Sequence, residues 1–174
     1  MTAPSLTFAS NSKSDQELDN LYKKGKIVYQ DKEITVGTFG NDEEISNAIF
    51  NAPNASVSPF DVSNSNNNLI SPLSSVSGPG GRASIVAGDT GRIVYWSAKP
   101  NTAWPYIFNG TVKLRYYSGF ARDAHVAGSG VFGSSVSGYV TMNKNNGGIA
   151  YFEGHADALD NTKFVVLPGV HCAY

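Results

Sequence analysis

The feature that most constrains this chain is the stretch over residues 91–168, a succession of short β-type segments cut by Gly and Asn turns. Short runs of β-branched and aromatic residues bounded by turn formers read as strands, and strands joined by tight turns pair antiparallel. Residues 92–98 alternate, with Ile93 and Tyr95 on one face and Val94, Trp96 and Ala98 on the other. Both faces carry apolar residues, so both are expected to be partly buried. Asn109-Gly110 stands between residues 106–108 and 111–117. Asn-Gly suits the positive φ angles of a type I′ turn, which predicts a hairpin here. In residues 111–117, Val112, Leu114 and Tyr116 face one way and Lys113, Arg115 and Tyr117 the other. Residues 136–142 follow, then a second turn at Asn145-Asn146-Gly147-Gly148 into residues 149–158, and residues 163–167 close the region. Gly128-Ser129-Gly130 reads as a glycine-rich bend in a strand, because no glycine stands at the third place of a dinucleotide fingerprint and no helical pattern follows. The expected fold is mainly β, an antiparallel β-sandwich or a small β-barrel, with a jelly-roll-like arrangement among the options.

Composition divides the chain into three regions. Residues 1–50 form an N-terminal extension that holds 8 of the 14 acids. Ser14-Asp15-Gln16-Glu17 fits a capping box ahead of Leu18, Leu21 and Tyr22, with Gly25 as the stop. Residues 26–29 and 33–36 flank Gln30-Asp31-Lys32 as a hairpin, and Asn41 or Asp42 is placed to cap a second short helix carrying Ile45, Ala48 and Ile49. Residues 51–81 form an extended arm or linker, rich in Asn, Ser and Pro, in which Asp61 is the sole charge. Pro53, Pro59, Pro72 and Pro79 rule out long regular structure there. Yet Phe60, Leu69, Ile70 and Leu73 recur in it, beside Val57, Val62 and Val76, which fits an arm that lays side chains into grooves of its own domain or a neighbour's. Residues 82–174 form the antiparallel β-core domain.

Charge and cysteine content narrow the function classes. The net charge is −1, so no long-range attraction to nucleic acid is expected, and direct packaging of a genome is not. A lone Cys172 forms no internal disulfide and reads as a small packed side chain or an exposed C-terminal thiol rather than a nucleophile. Residues 1–12 lack a basic start and an apolar run, so no classical signal peptide is expected, and the sequons at Asn54 and Asn109 read as chance matches. No apolar stretch is long enough to span a membrane as a helix. These traits favour a virion or cytoplasmic setting.

Two groups of residues stand out as candidate chemistry. Glu153, His155 and Asp157 alternate along one segment with Tyr151, and Asp123 and His125 repeat the acid–His spacing. If the two segments were neighbours, their His and carboxylate side chains would converge on a metal or an acid–base site. The commoner outcome of such alternation is the wet outer face of a half-exposed strand. No nucleophile elbow or His-Glu-x-x-His motif is present. The second group is aromatic. Trp104, in a loop-like Pro-flanked context, and Tyr106 are the leading contact residues, for a sugar or a protein partner.

Three readings of function follow. The first is a non-catalytic structural protein that self-assembles or joins other subunits of a particle, with a capsid, decoration or tail-type virion component as its concrete form and the arm residues Phe60, Leu69, Ile70 and Leu73 as contacts. The second is a lectin-like carbohydrate-binding β-domain built on Trp104. The third is a small β-barrel metal protein or acid–base enzyme using His125, Glu153, His155 and Asp157. The first is preferred; it requires no cofactor.

Overall fold

The computed structural model describes residues 20–52, 75–78, 80–88, 90–144, 147–161 and 163–174, with the backbone course alone for 75–78 and 163–169. Ten strands are assigned among these residues, β1 (Lys26–Gln30), β2 (Ile34–Gly40), β3 (Ser75–Gly78), β4 (Gly81–Ala87), β5 (Ile93–Pro100), β6 (Tyr106–Tyr116), β7 (Ala121–Gly130), β8 (Val136–Met142), β9 (Gly148–Ala158) and β10 (Lys163–Ala173). They form a six-stranded sheet in the order β1-β2-β8-β5-β4-β3 and a four-stranded sheet in the order β10-β9-β6-β7. All the pairings are antiparallel. Neither sheet closes on itself, because β1 and β3 edge one and β10 and β7 edge the other. The mainly β, antiparallel expectation holds, and the closed-barrel option does not.

One core joins the two sheets. The inward side chains of β5, β6 and β9 meet at Trp96, Phe108 and Phe152, whose ring centroids lie 5.4–5.9 Å apart. Val94, Ala98, Val112, Leu114 and Val140 extend this cluster on both sides. The opposite face of the six-stranded sheet is covered by the helix α1 (Glu43–Phe50). Ile45 and Ile49 of α1 pack with Val86, Ile93, Tyr95 and Tyr139 in a second cluster. Residues 93–98 are therefore buried on both faces, with Val94 and Trp96 in one cluster and Ile93 and Tyr95 in the other, while Arg92 is exposed. The Asp42 carboxylate accepts from the Ile45 N–H and caps α1, which satisfies one of the orphan donors of its first turn.

The expected hairpin at Asn109-Gly110 is corrected. β6 runs without a break from Tyr106 to Tyr116 and pairs along its length with both β7 and β9. Gly110 lies opposite Gly154. A methyl group built on Gly110 would sit 2.7 Å from Phe108 Cζ, and one built on Gly154 would sit 2.6 Å from it. The glycines leave room for the Phe108 ring rather than supply a turn. The second expected turn falls partly outside the described residues, at Asn145 and Asn146. The strands on either side of it, β8 and β9, lie in different sheets and do not pair with each other.

The N-terminal hairpin is present as β1 and β2, and β2 pairs with β8, so these residues share a sheet with strands of the 82–174 region. The capping box at Ser14 and most of the arm, including Val57, Phe60, Val62, Leu69, Ile70 and Leu73, lie outside the described residues. The end of the arm forms β3, which pairs with β4 at the sheet edge. No described helix is long and apolar enough to cross a membrane.

Candidate functional site

The acid–His residues all fall on the outer face of the four-stranded sheet. His125 and Glu153 are both cross-strand partners of Thr111, one from β7 and one from β9. His155 lies opposite Asn109. β6 therefore stands between the two acid–His pairs. Two inter-strand spacings and two residues of rise put the Cα atoms of His125 and His155 roughly 12 Å apart. The charges on this face are paired locally. Lys113 meets Glu153 in a close ion pair, Arg115 Nη1 meets Asp123 at 2.6 Å, and His155 Nε2 lies 3.3 Å from Asp157. The Tyr151 ring rests beside His171 at 5.7 Å. Among the described residues, no group of three or more His, Cys, Asp or Glu side chains is placed to hold a metal ion. The face has the geometry of a solvated sheet surface laced by partly exposed ion pairs.

The aromatic candidates separate. Tyr106 is buried, its hydroxyl donates to the Ser134 carbonyl at 2.6 Å, and burial raises its hydroxyl pKa to about 12. Trp104 lies in the loop between β5 and β6, is 56% exposed, and is held at the backbone by its N–H donating to Thr102 Oγ1.

Trp104 belongs to an apolar tip that the sequence reading did not assemble. Three connections meet at this end of the molecule. The Leu159 N–H donates to the Pro105 carbonyl at 3.0 Å, tying the turn after β9 to the Trp104 loop. A methyl group built on Gly133 would lie 3.6 Å from the Thr102 carbonyl oxygen, which places the turn after β7 beside the same loop. Pro105, Ile107, Val131 and Leu159 line one hollow of about 220 Å³, together with Asn41, Tyr106, Ser129 and Gly130. None of these residues is charged. Leu159 is 71% exposed, and Phe132, next in the chain to Val131, is 80% exposed.

The turn after β7 holds Phe132 outward. Phe132 has φ 50°, a left-handed conformation that a bulky side chain rarely adopts. The flanking backbone fixes it there, since the Val131 N–H donates to Ser134 Oγ and the Ser134 N–H donates to the Val131 carbonyl. The base of the turn is anchored by Glu43 of α1, whose carboxylate accepts from the Ser135 N–H and hydroxyl and lies 3.7 Å from Lys99 Nζ. The sequence signal for this feature is a Phe placed directly before a Gly-Ser pair at the end of a strand.

A second apolar hollow, of about 260 Å³, lies by the six-stranded sheet, lined by Tyr22, Ile93, Tyr95, Thr141 and Met142 with Thr90 and Arg92. Compared with known proteins, the chain matches no family model, and no curated protein is significantly similar to it.

Proposed function

We propose that this chain is a non-catalytic structural protein, a two-layer β-sandwich that assembles through protein–protein contacts. A capsid, decoration or tail-type virion component is its most concrete form. The sandwich reading is supported by the shared core and by β7 lying against β2 and β8 while β10 lies against β3, β4 and β5. Crossings between the layers at β5–β6, β7–β8 and β8–β9 support a jelly-roll-like winding.

The apolar tip carries the functional reading. Single exposed apolar residues are ordinary on protein surfaces, but a contiguous patch of them marks an interaction site. Here Ile107, Val131 and Leu159 are exposed where they line one uncharged hollow, and Trp104 and Phe132, each next in the chain to a lining residue, are exposed as well. Holding a non-glycine residue at positive φ costs on the order of 1–3 kcal/mol, and such strain concentrates at functional sites. Phe132 combines that strain with the highest exposure of any large apolar residue described.

The test is the native mass of the purified chain by light scattering over a range of concentrations. The reading expects species heavier than the 18.5 kDa chain. A monomer throughout, with no partner subunit able to raise its mass, overturns it. The exposure of Trp104 favours a second reading, a carbohydrate-binding domain, because an exposed indole offers an apolar face with a polar edge. A glycan array without signal removes that reading.

A further inference from the structure

We propose that a water molecule is bound between α1 and the six-stranded sheet, held by the hydroxyls of Ser46, Ser97 and Ser137. The site stands independently of the assembly reading.

The sheet face beneath α1 carries a row of serines. Ser84 of β4 lies opposite Ser97 of β5, and Ser97 lies opposite Ser137 of β8. Residues two apart on a strand share a face. These serines therefore share the face of Val86, Tyr95 and Tyr139, which packs against Ile45 and Ile49 of α1. Each of the three is at most 1% exposed. The helix is pinned over the row towards both of its ends. The Glu43 carboxylate accepts from the N–H and hydroxyl of Ser135, two residues before Ser137, and the Ile49 carbonyl accepts from the Ser84 hydroxyl. Ser46 stands midway along the helix between these anchors and is 0% exposed.

The row does not satisfy its own hydrogen bonds. Ser84 is taken by Ile49, and Ser97 donates to the Val136 carbonyl at a long 3.4 Å. The Ser46 and Ser137 hydroxyls have no hydrogen-bond partner among the described residues. A buried hydroxyl without a partner costs free energy, so two beneath one helix select an occupant that both donates and accepts. An apolar occupant would leave both unpaired. A cation would need negative ligands, and the carboxylate of Glu43 is committed to Ser135 and Lys99. A buried water typically makes about three hydrogen bonds, and Ser46, Ser97 and Ser137 supply three hydroxyls.

The experiment compares the full chain with Ser46→Ala, Ser137→Ala and the double variant by chemical denaturation, beside a high-resolution crystal structure of the wild type. The crystal is expected to show an ordered water about 3 Å from both hydroxyl oxygens. Each single variant is expected to raise the unfolding constant roughly fivefold, the worth of an ordinary hydrogen bond. The double variant is expected to fall short of the product of the two, because both hydroxyls serve one water. Single variants as stable as the wild type, or more stable, overturn the proposal, since deleting an unpaired hydroxyl only relieves a cost. Losses that multiply, with no water between the hydroxyls, overturn it as well and give each hydroxyl its own partner in the protein.

Discussion

Arg122 of β7 donates to the carboxylate of Asp31 in the β1–β2 turn, joining the edge of the four-stranded sheet to the first turn of the six-stranded one. Asp31 also accepts from the backbone N–H groups of Ile34 and Glu33 and from the Tyr29 hydroxyl. The turn closes around one carboxylate, and that carboxylate must be ionised to accept from all of them.

An acid-sensitive contribution to stability follows. The Ile34 and Glu33 N–H groups, with Tyr29 and Arg122, hold the Asp31 carboxyl down at about 2 against an ordinary 3.8. A depressed carboxyl stabilises the fold above its unfolded value and loses that contribution as pH falls through its folded value. NMR titration is expected to place Asp31 near 2. Thermal unfolding of Asp31→Asn is expected to lose part of the wild-type fall in stability between pH 4 and 2. A carboxyl that titrates near 3.8 contradicts this account.

The Phe108 ring sets a second prediction. Gly154→Ala brings a methyl group to 2.6 Å from Phe108 Cζ and 2.8 Å from the Asn109 carbonyl oxygen. Overpacking of a core costs about 1–3 kcal/mol, and chemical denaturation is expected to show a loss in that range. Phe108→Leu in the same chain relieves the ring contact and is expected to recover part of the loss. Gly154→Ala with wild-type stability would mean that the glycine pair is not required by the ring.

Cys172 carries a third. It lies inside the core opposite Ala150 of β9, and burial pushes its thiol well above the usual range. Only the thiolate reacts with alkylating reagents. Native protein is expected to react with iodoacetamide only as fast as it opens, and Cys172→Ser is expected to cost about 1–3 kcal/mol by burying a hydroxyl without a partner. Rapid labelling of the folded chain would contradict the placement.

Much of this architecture is readable in the chain because it depends on local pattern. The alternation in residues 92–98 anticipates a strand at least partly buried on both sides, and the Asn41-Asp42 pair anticipates the start of α1, which Asp42 caps, since a period and a cap are local properties. Asn109-Gly110 misleads because a glycine has two uses. The turn reading needs only its immediate neighbours, whereas its actual role depends on Gly154 across the sheet. The strands on either side of residues 145–148 are legible, but the sheet each one joins is set by long-range pairing. The outer-face positions of Glu153, His155 and Asp157 follow from a two-residue period, yet the strand between them and His125 does not. Trp104 can be picked out as a loop aromatic, while Phe132, Ile107, Val131 and Leu159 become one surface only when three separate connections converge.

The central claim is that the apolar tip is a protein-docking surface, and Trp104 reports on it directly. The chain has two tryptophans. Trp96 is 1% exposed and Trp104 is 56% exposed, so acrylamide quenching of the dilute protein reads Trp104 almost alone. Raising the concentration while following mass and quenching together is expected to protect Trp104 as heavier species form. Assembly that leaves Trp104 as quenchable as in the monomer, or protection by oligosaccharide with no change in mass, would contradict the claim.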